Sequence, residues 1–73
     1  MLLANLEWKQ NSTHVYVAIV DTPDGIAVFN FDALRKVYGV ALYPAGSHST
    51  HWRGLDALSA QCVLYEVVGD VVG

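Results

Sequence analysis

One cysteine, two prolines, four basic residues and no long hydrophobic run occur in these 73 positions. Each scarcity removes a class of protein. Cys62 alone can form no internal disulfide, and a lone thiol fits a reducing compartment. Lys9, Arg35, Lys36 and Arg53 stand against seven acids, for a formal charge of −3. Nucleic-acid binders neutralise phosphates with a basic face, so direct nucleic-acid binding is not expected. The longest strongly apolar stretch, "VYVAIV" at 15–20, is far short of the roughly 20 residues that cross a bilayer. The opening "MLLANLEWKQ" has no basic start and no clean cleavage signal, so the expectation is a cytoplasmic protein without membrane association. A glycine-rich phosphate loop is also missing, because "GIAVFN" comes after a turn and leads into a strand.

Apolar side chains, by contrast, are abundant. They make up 53% of the chain, with a mean hydropathy of +0.32. A single domain over 1–73 sits near the lower limit at which an unaided core is stable. A body of that size cannot enclose so much apolar material. The surplus predicts a contiguous apolar patch that another chain covers.

Periodicity divides the chain into elements. Leu2, Ala4, Leu6 and Trp8 alternate with polar neighbours, which predicts a first strand over 2–8. "THVYVAIVD" at 13–21 places Val15, Val17 and Ile19 on one face and Tyr16, Ala18 and Val20 on the other. Both faces are apolar, which predicts a strand in the middle of a sheet. "DTPDG" supplies the proline and Asp-Gly of a hairpin turn, and "IAVFNF" returns as a third strand. At "FDALRKVYG" the period lengthens: Asp32 reads as an N-cap, Leu34, Val37 and Tyr38 as one helical face, and Gly39 as the stop. "VALYP" reads as extended. "GLDALSAQ" reads as a second short helix, and the β-branched "CVLYEVVGDVV" at 62–72 as a fourth strand. The expected fold is α+β: a small antiparallel sheet of about four strands, a three-stranded N-terminal meander plus a C-terminal strand, with two short helices on one face.

Chemistry concentrates in "PAGSHSTHW" at 44–52. His48 and His51 form an H-x-x-H pair, which a zinc site would complete with two more ligands; His14 and Cys62 are the soft candidates. The pair lies in a Gly/Ser/Thr loop with no glutamate beside it, so no metal or other cofactor is expected. Ser47 or Ser49 with His51 and Asp56 supplies the residue types of a hydrolytic triad but no nucleophile elbow. Cys62, between a helix and an apolar strand, reads as a small space-filling thiol rather than a nucleophile. No catalytic residue is therefore assigned, and a small metal-dependent or hydrolytic enzyme using the His48/His51 loop stands as the alternative.

The aromatic residues point elsewhere. Trp and Tyr, with Arg, dominate the energetic centres of protein interfaces. "HWRG" sets Trp52 beside Arg53 in a predicted loop: the ring can fill a pocket while the guanidinium pairs with a carboxylate. The partner-binding candidates are Tyr43, His48, His51, Trp52, Arg53, Tyr65 and Glu66. A nucleic-acid-mimicking acidic face is disfavoured, because Asp21, Asp24, Asp32 and Asp56 are engaged in turns and caps. In profile — small, acidic, apolar-rich, without a catalytic motif — the chain resembles phage-encoded inhibitor proteins, anti-CRISPRs among them. That resemblance implies a module that binds a larger protein or complex and blocks it. A self-associating subunit, dimerising through an exposed C-terminal strand, is the other expectation.

Overall fold

The computed structural model describes residues 1–46 and 48–69. Strands β1 (Lys9–Gln10), β2 (Val15–Thr22), β3 (Gly25–Asp32), β4 (Val37–Pro44) and β5 (Thr50–Leu55) form one antiparallel sheet in chain order. Helix α1 (Ala57–Val68) crosses one face of it. The α+β class and the antiparallel meander are as expected, but the described residues hold five strands rather than four, and one α-helix with a 3₁₀ turn at Leu3–Asn5 rather than two helices.

The β2–β3 hairpin turns where proline and Asp-Gly chemistry places it, with Thr22 opposite Gly25. The helix expected from Asp32 does not form. Asp32 does cap a turn: its Oδ1 accepts from the Leu34 and Arg35 amides at 3.0 and 3.1 Å, and the Lys36 amide donates to its carbonyl at 2.7 Å. Lys36 then enters the left-handed region, φ 60°, and reverses the chain. Val37 therefore pairs with Asp32 and begins β4. One helical turn forms, and sheet pairing captures the residues beyond it.

The C-terminal strand is overturned as well. Residues 62–68 belong to α1, and 70–72 lie outside the described residues. Alternation through Val63, Tyr65 and Val67 suggests a strand, yet Ala60, Val63, Leu64 and Val67 are the buried set. Those positions have the i, i+3, i+4, i+7 spacing of a helical stripe. Asp56 caps the start by accepting from the Ser59 amide at 2.7 Å, and Gly69, φ 69°, closes the end.

Residues 2–8 do not alternate as a strand; pairing begins only at Lys9. Leu3 is buried, and Leu6 and Trp8 pack against the core. Trp8 Nε1 donates to the Leu3 carbonyl at 2.8 Å. Gln61 fastens this segment to the helix: its Oε1 accepts from the Leu3 amide at 2.9 Å and its Nε2 donates to the Met1 carbonyl at 2.7 Å. The core lies between α1 and the central strands, around Phe29, Leu64 and Val40.

Candidate functional site: the uncovered face of the sheet

Residues directly opposite in an antiparallel pair share a face. The register therefore divides the sheet cleanly. Ala18, Phe29 and Val40 form one row beneath the helix, and Val20, Ala27 and Leu42 another. Among the described residues, the reverse side carries no helix. There β2 presents Val15, Val17, Ile19 and Asp21, and β3 presents Ile26, Val28, Asn30 and Asp32. Val37, Gly39, Ala41 and Tyr43 of β4 continue the same surface. An antiparallel sheet with one wet side ordinarily carries polar residues there. This one is aliphatic across its middle, with Ile19 67% exposed, Tyr43 46% and Ile26 42%.

Polar groups form a rim. Lys9 pairs with Val17 at the β1 edge, and Asp21 stands at the hairpin end. On the far side, Arg35, Tyr43, His51 and Arg53 line a shallow groove. The Arg35 and Arg53 guanidiniums make no hydrogen bond or ion pair to any other described residue. The His51 ring meets Tyr43 edge-on at 6.1 Å.

A bulge aims Arg53. Between the pairs Tyr38–Leu55 and Val40–Trp52, β5 has two residues, Arg53 and Gly54, against Gly39 alone. Gly54 sits at φ 64°, where a side chain is strained. The bulge also blunts the outer edge of β5, which would otherwise offer an unbroken row of backbone groups.

The candidate residues do not converge. Tyr43, His51 and Arg53 share the uncovered face. Trp52, expected in a loop, is on β5 opposite Val40 and packs against the core from the helix side. Tyr65 is half-buried and Glu66 exposed, both on α1 across the sheet, and His48 is exposed in the β4–β5 loop. Cys62 corrects its expected burial: it is exposed on α1, a layer away from His51. Among the described residues, no three His, Cys, Asp or Glu side chains come together closely enough to hold a metal ion. Asp56 is engaged at the helix cap, where the Ser59 amide holds its carboxyl below the usual carboxylate range. Ser47 lies outside the described residues. No helix among the described residues is long and apolar enough to cross a membrane.

The aliphatic face itself is legible in part from sequence. Val15, Val17 and Ile19 alternate with Tyr16, Ala18 and Val20, a pattern that predicts a strand in the middle of a sheet, and β2 lies between β1 and β3. The same pattern fits a sheet with one face still to be covered. Comparison with known proteins finds no matching family model, no matching curated protein and no matching solved structure.

Proposed function

We propose that the chain is a protein-binding module that lays the uncovered face of its sheet against another protein surface and carries out no catalytic step of its own. Ile19 carries this reading: a large aliphatic side chain, 67% exposed, in a cross-strand row with Val28 and Ala41. An apolar centre ringed by Lys9, Asp21, His51 and Arg53 has the anatomy of an interface, with a dry middle and a polar rim. Contiguous apolar surface of this kind marks interaction sites in small proteins. An inhibitor seated on a larger protein and a self-associating subunit both require such a surface.

Thiol labelling tests the reading. In a Cys62→Ser background, Ile19→Cys and Leu58→Cys place single thiols on the uncovered face and on the outer side of α1, where Leu58 is 75% exposed. In the cell that makes the protein, Ile19→Cys should label much more slowly than Leu58→Cys. Equal labelling rates would end the docking reading.

A further inference from the structure

We infer that the occupant of the uncovered face is a second copy of this chain, seated sheet against sheet about a two-fold axis beside the Val28–Ala41 pair. This inference rests on the docking function proposed for that face and names its partner. Helix, sheet, sheet and helix then stack in four layers, with the two sheets about 10 Å apart.

The charges on the rim complement themselves. Asp21 at the hairpin end and Arg53 at the bulge occupy opposite corners, with Val28 and Ala41 between them. Lys9 beside Val17 and Asp32 at the far end of β3 form a second unlike pair, set to one side of that diagonal and running roughly parallel to it. A two-fold axis lying in the interface and crossing that diagonal at right angles brings Asp21 to the partner's Arg53 and Lys9 to the partner's Asp32. Such a contact is isologous and closes at two copies.

Asn30 supplies the second support. Its side chain lies over Gly39 within the aliphatic face and bonds to no other described residue. A carboxamide both donates and accepts, so it is its own complement. Asn30 falls beside the proposed axis, where the partner's Asn30 satisfies it. A single amide in the apolar centre of the interface sets register, as an asparagine does in a coiled coil. Edge pairing is the rival route to a dimer, and at the β5 edge the bulge at Arg53–Gly54 works against it.

Sedimentation equilibrium on the full chain, from micromolar to millimolar, tests the inference. The wild type should reach twice 8.0 kDa. Ile19→Lys and Tyr43→Lys should each weaken the dimer by roughly tenfold or more while keeping the wild-type circular dichroism. Asn30→Asp, close in shape, should weaken it similarly at pH 7, because two carboxylates then face each other across the axis. Leu58→Lys, on the helix exterior, should leave the dimer intact. A wild type that stays at 8.0 kDa overturns the second copy as occupant. So does a dimer that Ile19→Lys, Tyr43→Lys and Asn30→Asp leave equally tight. Slow labelling of Ile19→Cys in cells by a protein that is monomeric when pure would overturn the second copy while leaving the docking face standing with a different partner.

Discussion

The carboxamide of Asn30 lies across Gly39 on the neighbouring strand, so close that a Cβ on Gly39 would stand 2.9 Å from Asn30 Oδ1. Gly39 is buried although it faces the uncovered side, because the amide roofs it. The pair is a cross-strand contact that depends on the absence of a side chain.

Gly39→Val should therefore destabilise the protein chiefly by displacing that amide. In an Asn30→Ala background the space is free and valine suits a strand, so most of the loss should vanish. Urea unfolding of the four proteins should give a coupling of about 1–2 kcal/mol. Strictly additive effects would show that the amide does not press on Gly39.

Two leucines of α1 should behave oppositely. Leu64 is fully buried against the sheet, whereas Leu58 is 75% exposed. Leu64→Ala should cost about 2–5 kcal/mol, through lost burial and the cavity left behind. Leu58→Ala should change stability by about 0.5 kcal/mol or less. Thermal unfolding of both variants checks the depth of each position.

Lys36 holds a left-handed conformation, φ 60°, that side chains resist. Lys36→Gly removes the clash but loosens the unfolded chain, so stability should rise by no more than about 1 kcal/mol. Lys36→Val, branched at Cβ, should lower it by about 1–2 kcal/mol. A large loss with glycine would show that the Lys36 side chain, not its backbone, supports the turn.

Asp56 caps α1, and the hydrogen bond from the Ser59 amide lowers its pKa. A carboxyl depressed in the folded state contributes stability that is present above its unfolded pKa and lost as pH falls through the folded value. Asp56→Ala should melt below the wild type at neutral pH, and the gap should close in acid below the carboxylate range. Melting curves from pH 7 to pH 2, monitored by helical circular dichroism, read this directly.

Joint replacement of His48 and His51 by alanine should leave stability within about 0.5 kcal/mol, since both side chains are exposed. Elemental analysis of the purified wild type should find no stoichiometric zinc. A bound metal lost in the double variant would revive the enzyme alternative.

Local chemistry fixes several features without reference to packing. Pro23 and Asp24-Gly25 place the β2–β3 turn, Asp56 opens α1, and the alternation from Val15 to Val20 makes a strand. Asp32 also acts as its type requires, accepting amides of the turn ahead of it. It cannot decide whether that turn continues, because Val37 and Tyr38 suit a helix or a strand equally. Pairing with Asp32 and Phe31 decides for strand.

The same ambiguity governs residues 62–68, where β-branched side chains favour a strand and the spacing of Ala60, Val63, Leu64 and Val67 favours a helix. A meander already complete at β5 leaves an apolar face to be covered, and a helix laid across it buries that stripe. The uncovered side is visible in sequence only as a surplus of aliphatic residues. Register, which sends alternate residues of one strand to opposite faces, sets which of them stay outside. Neighbour preferences along the chain thus set turns, caps and strand periodicity. Which strands pair, and so which face is left without a cover, depends on contacts between residues distant in sequence, and only the tertiary structure contains them.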